Sequence, residues 1–148
     1  MLDRRFFTNL GIKVRNDVRK RIFEKAEDVK GSKFKTYSTE YAKQKRKGNG
    51  RRQDPKYANS RAPVFTGDLK DDLTVVRPTN NSVQVGWTKE GGKIKALNKL
   101  GRFITTPNQP FPEGTIRMIM REVRTETKKK VKAKFPKGKV IRLPIGKK

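Results

Sequence analysis

A chain of 148 residues has room for one domain of ordinary size, and a content of 32% hydrophobic against 36% charged residues limits that domain to a modest core. The 39 lysines and arginines against 14 aspartates and glutamates give a net charge of +25, so a compact monomer repels itself and an anionic partner, nucleic acid or acidic protein, is expected in the working state. With no cysteine and no histidine, the composition excludes disulfides, thiolate metal sites, cysteine nucleophiles and imidazole proton transfer.

The opening residues, Met1-Leu2-Asp3-Arg4-Arg5-Phe6-Phe7, carry charge without an uninterrupted apolar stretch and do not read as a signal peptide. Nowhere does an apolar run approach the roughly 18 to 20 residues of a membrane span, so no membrane contact is expected. From Asp3 to about Lys30, the residues Phe7, Leu10, Val14, Val18, Ile22, Ala26 and Val29 recur every three or four positions. That period predicts one long amphipathic helix, stopped at Gly31. A second, shorter helix is predicted from Ser38 to Gly48, with Ser38 capping its first turn and Tyr41 as its apolar anchor. The breakers that follow predict a mobile basic loop over about residues 48–62.

Leu73-Thr74-Val75-Val76-Arg77 and Ser82-Val83-Gln84-Val85-Gly86-Trp87, joined by Pro78-Thr79-Asn80-Asn81, predict a β-hairpin with Val83, Val85 and Trp87 on one apolar face. Residues 93–101 predict a short helix that offers Ile94, Leu97 and Leu100 to the sheet. After a proline-punctuated turn at 107–112, Ile116, Ile119, Met120, Val123, Thr127 and Val131 trace a second long helix ending near Phe135-Pro136. A basic arm at 136–148 follows, in which Val140-Ile141-Arg142-Leu143 reads either as a last strand or as a segment that docks on a neighbouring subunit. The whole is an α+β single domain with its core over about residues 1–135: a small antiparallel sheet packed against long N-terminal and C-terminal amphipathic helices.

Sites of chemistry are sparse. Asp68, Asp71 and Asp72 form an acidic cluster, but a cation site draws oxygens from several segments, and a solvated or lysine-paired turn is the better reading. Gly86, Gly91 and Gly92 lack the spacing of a phosphate loop, and no base stands beside a serine or threonine nucleophile, so no enzyme is expected and no cofactor is implied. Two basic concentrations remain. One is Lys43, Lys45, Arg46, Lys47, Arg51, Arg52, Lys56 and Arg61, interleaved with Tyr41 and Tyr57; the other runs through Lys128, Lys129, Lys130, Lys132 and Lys134 into Lys137, Lys139, Arg142, Lys147 and Lys148. Such tracts hold phosphate by charge and counterion release, without sequence preference.

Tyr41-x-x-x-Lys45-x-x-Gly48, Val64-Phe65-Thr66-Gly67-x-Leu69-x-x-x-Leu73 and Ser82-Val83-x-Val85-Gly86-Trp87, followed by Ala96-Leu97-Asn98-x-x-Gly101 and Pro110-Phe111-Pro112, resemble in order and spacing the bacteriophage virion-morphogenesis and tail-completion proteins. The resemblance covers roughly residues 38 to 130. It implies a structural neck or head–tail joining protein, assembled as a homo-oligomeric ring. The implied partners are portal, connector, tail-tube or tail-terminator proteins, with sequence-independent DNA contact in the channel. Its implied location is the virion, and the host cytoplasm during assembly. Thr66, Gly67 and Leu69 then form a structural turn, which agrees with the conformational freedom of glycine there. Composition alone permits the rival reading of a ribosomal or chromatin-like nucleic-acid-binding protein.

Overall fold

A computed structural model of the chain describes residues 2–48, 55–64 and 66–135. Helix α1 (Arg4–Arg19) is started by Asp3, whose carboxylate accepts from the Phe6 amide at 2.9 Å. It runs into one turn of π-helix (Lys20–Glu24), in which the Lys25 amide donates to the Lys20 carbonyl. Helix α2 (Thr39–Lys47) lies between the Ser38 cap and Gly48, whose φ of 80° is left-handed. A 3-10 turn (Pro55–Tyr57) and the single-turn helix α3 (Asp68–Asp71) precede strands β1 (Leu73–Val76) and β2 (Gln84–Trp87). Helices α4 (Gly91–Lys99) and α5 (Glu113–Lys134) complete the α+β fold expected from the sequence.

The strands pair antiparallel, with Leu73 opposite Trp87 and Val75 opposite Val85, so these four side chains share one face. That face meets α1. Close approach is permitted by Gly11, where a Cβ would stand 2.6 Å from Val83 Cγ2 and 2.8 Å from Val75 Cγ1. Both neighbours are stiff β-branched side chains, so no larger residue fits without displacing the hairpin. On another side α1 receives α5: Lys13 meets Glu122 at 2.7 Å, Lys130 meets Asp3 at 2.6 Å, and the Thr115 hydroxyl donates to Asp17. Helix α1 is thus the shared partner of hairpin and α5. The core gathers Leu10, Val14, Val18, Ile22, Phe23, Phe34, Leu69, Leu73, Ile94 and Ile104 around it. Among the described residues no helix is long and apolar enough to cross a membrane.

Several expectations need correction. The N-terminal helix ends at Glu24 and does not continue to Lys30: Ala26 has φ 54°, and the chain hooks back so that the Phe34 amide donates to the Ala26 carbonyl. Asp28 stabilises the hook by accepting from the Lys30 and Ser32 amides. Ala26 and Val29 are buried as the period requires, but by the hook. Tyr41 does not anchor α2, for it is 39% exposed. Leu100, expected to meet the sheet, is 72% exposed. In α5 Ile119 and Val123 pack against the core as expected, but the packing side is rotated, leaving Ile116, Met120 and Val131 exposed while Thr115 is buried and Met118 and Glu122 are half-buried. Of the loop expected at 48–62, the part from Pro55 onward is folded onto the core, with Tyr57 and Ala62 buried. Residues 49–54 and the arm at 136–148 lie outside the described residues.

Candidate anion-binding surface

Helix α5 separates its charges by side. Arg117, Arg121, Arg124, Lys128 and Lys132 follow one another at steps of four, three, four and four residues, all exposed. At 100° per residue they fall within a narrow stripe opposite the side that rests on α1. Two acids of the helix are placed elsewhere, Glu122 tied to Lys13 and Glu126 4.0 Å from Lys129, while Glu113 pairs with Arg117 at the first turn and neutralises that end of the stripe. From Arg121 to Lys132 the stripe is therefore cationic without interruption. It extends over about 16 Å of helix between those residues, and about 22 Å counted from Arg117. Met120 and Thr125 join Arg117, Arg121, Arg124 and Lys128 around a shallow surface depression of about 320 Å³. Apolar contact beside fixed cations suits a flexible phosphate chain or an acidic protein face.

The sequence pointed to Lys128, Lys129, Lys130, Lys132 and Lys134, and the structure divides them. Lys128 and Lys132 stand on the stripe, and Lys129 and Lys134 are exposed on flanking sides. Lys130 faces α1, where its hydrogen bond to Asp3 raises its pKa above the usual lysine value. The arginines at 117, 121 and 124 were missed because they are scattered singly through the sequence. Their three- and four-residue spacing from Lys128 was the available signal.

The other concentration is broken up further. Lys43, Arg46 and Lys47 are exposed on α2, with Arg46 Nε donating to the Ala42 carbonyl at 3.3 Å. Arg51 and Arg52 lie outside the described residues. Lys45 does not belong to an anion-binding surface at all. It is 1% exposed, and its Nζ donates to the Ser60 carbonyl at 2.6 Å and the Ala62 carbonyl at 2.9 Å, over the ring of Tyr37 at 4.8 Å. The lysine thus fastens the returning chain to α2.

Arg102 shares that ring, its guanidinium 3.9 Å from the Tyr37 centroid, and donates to the Arg61 carbonyl at 3.1 Å and the Lys35 carbonyl at 2.7 Å. Arg21 repeats the device at the end of α1 by donating to the carbonyls of Glu27 and Ile104. Burial, with Arg102 close by, pushes the Lys45 pKa down to about 8, while burial pushes the Tyr37 hydroxyl up to about 12. The lysine nitrogen is enclosed and engaged by two carbonyls, out of reach of a substrate.

The depressed value has a consequence for stability. Between about pH 8 and the unfolded lysine value near 10.5 the unfolded chain binds more protons at this position, so the folded state gains as pH rises through that window. Chemical denaturation of the wild type and of Lys45→Met at pH 7.5 and 9.5 checks this. The wild type is expected to gain on the variant at the higher pH.

Asp68, Asp71 and Asp72 are dispersed into local roles. Asp72 accepts from the Thr88 hydroxyl at 2.6 Å and from the amides of Lys89 and Glu90, which holds its pKa below the usual carboxylate range and fixes the entry to α4. Asp71 meets Arg19 at 3.5 Å, and Asp68 accepts from Thr66 at 2.6 Å. Among the described residues no group of three or more acidic, histidine or cysteine side chains is arranged to hold a metal ion. The turn formed by Thr66, Gly67 and Leu69 has Gly67 at φ 95°, Leu69 buried, and the Leu69 carbonyl accepting from Trp87 Nε1 at 2.8 Å. Comparison of the chain with protein-family models, with curated proteins and with solved structures finds no match.

Proposed function

We propose that this chain is a structural, non-catalytic component of a tailed bacteriophage particle, acting at the joint between head and tail and assembling there as a ring of identical subunits. The observation that carries the assembly reading is the charge segregation on α5: a row of cations from Arg121 to Lys132, turned away from the protein body, supports an anionic surface outside the chain as its partner. The phage assignment rests on the resemblance carried by Thr66-Gly67-x-Leu69 and the motifs around it. Portal, connector, tail-tube and tail-terminator proteins are the proposed protein neighbours, and the DNA of the channel the proposed nucleic-acid one.

A second reading is supported by the same stripe: a nucleic-acid-binding protein of the ribosomal or chromatin kind. The two differ in genetic setting and in where the protein is found. An amber mutation of this gene in the phage that carries it is expected to leave DNA-filled heads and finished tails unjoined, with the wild-type protein found in purified particles by mass spectrometry. Normal yields of joined particles from the mutant, or absence of the protein from particles, would sink the phage reading.

A further inference from the structure

A groove of about 810 Å³ opens between α2, the segment before α3, and α4, and its apolar lining comes from Tyr41, Val64, Leu69, Ala96, Leu97 and Leu100. Val64 and Leu69 are buried and form its floor, whereas Leu100 on the rim is 72% exposed. Covering Leu100 together with the groove beside it would take that apolar surface out of water, which is favourable. The chain itself supplies a segment of the right chemistry. Beyond Phe135 thirteen residues follow, and among them Val140-Ile141-Arg142-Leu143-Pro144-Ile145 is apolar except for one arginine. Ile141, Leu143 and Ile145 alternate, so an extended backbone would bring them to one side and leave Arg142 on the other.

Reach decides whose groove is filled. Helix α5 runs against α1 with its start at Asp17 and its end past Asp3, as the contacts of Thr115 and Lys130 fix. The groove belongs to the other end of α1, where Asp71 meets Arg19 and Arg21 holds the Ile104 carbonyl next to Arg102. From Thr115 to Phe135 the helix covers about 30 Å. Leu143, eight residues beyond Phe135, extends at most about 28 Å, so residues 140–143 fall short of the groove in their own chain.

We propose that residues 140–145 of one subunit dock in the α2–α4 groove of a second copy of the chain. Arm and groove are different surfaces, so the contact is heterologous: each subunit gives one and receives one, and repetition closes a ring or extends a filament. The inference supplies the contact for the ring proposed above, but it stands or falls on its own, since it concerns only copies of this chain.

The absence of native cysteine makes the test clean. Full-length Leu100→Cys/Leu143→Cys, mildly oxidised, is expected to give a ladder of covalent multimers on a non-reducing gel, whereas each single-cysteine chain stops at dimer. A product consisting of intrachain-linked monomer, or a yield no greater than that of Ile12→Cys/Leu143→Cys, overturns the proposal. Light scattering gives an independent reading. Leu100→Asp and Leu143→Asp, each with unchanged circular dichroism, are expected to lose wild-type oligomers, and mixing the two is expected to restore a dimer and nothing larger. Oligomers that persist in both variants would overturn the docking and leave the ring reading intact. A wild type that stays monomeric at every concentration, with no ladder, would overturn both.

Discussion

Replacing Arg117, Arg121, Arg124, Lys128 and Lys132 together by glutamine is expected to weaken binding of duplex DNA by on the order of 10²- to 10³-fold at modest salt, and to flatten its salt dependence. Each phosphate neutralised releases condensed counterions and contributes about 0.9 to the slope of log K against log salt. If all five cations touch phosphates, the slope falls by about 4.5. The residues are exposed and opposite the α1 contact, so glutamine, itself a good helix former, leaves the fold intact. Titration of a labelled 30-base-pair duplex at several salt concentrations reads both quantities. An unchanged slope would remove α5 from DNA contact and leave acidic protein surfaces as its partner. Neutralising Lys43 and Lys47 on α2 provides the comparison for general loss of charge.

Arg102→Ala should be strongly destabilising for a polar substitution. The guanidinium is 5% exposed and satisfies the carbonyls of Arg61 and Lys35 while lying against Tyr37. Alanine removes both donors, opens a void beside the ring, and releases the segments before α2 and before α3 from α4. Buried acceptors left without partners cost about 1–3 kcal/mol each, less where water enters, and a total near 3 kcal/mol corresponds to a fall in Tm of roughly 10 °C for a chain of this size. Arg102→Lys restores the charge without the planar fork, so it reaches at most one carbonyl well and recovers only part of the loss. Thermal unfolding followed by circular dichroism measures both, and an alanine variant melting within 2 °C of the wild type would contradict this account.

The hairpin was legible because alternation along 82–87 specifies which side chains share a face, and the glycine turn because only one residue type takes φ near 95° without strain. The caps of α2 were equally plain in Ser38 and Gly48. The end of α1 was not, for a physical reason: periodicity reports which residues are buried, and the hook after Glu24 keeps Ala26 and Val29 in the core while abandoning the helix. Asp28 and Gly31, with their turn-forming chemistry, were the local signs.

The buried cations were hidden by residue type. Lysine and arginine are expected outside, and only tertiary contacts reveal that Lys45, Arg21 and Arg102 serve as donors to carbonyls of irregular chain. One hint was present at Lys45. Helix α2 has few apolar residues to bury, so the stem of the lysine one turn beyond Tyr41 and Ala42 was the natural candidate.

The chain has a single tryptophan, and its indole N–H is bonded to the carbonyl of Leu69. Leu69 is also part of the groove floor. Light emitted by Trp87 therefore reports from the seam between hairpin and groove floor, one hydrogen bond away from the lining. An occupant that displaces the Leu69 carbonyl is expected to be readable in that emission without a dye.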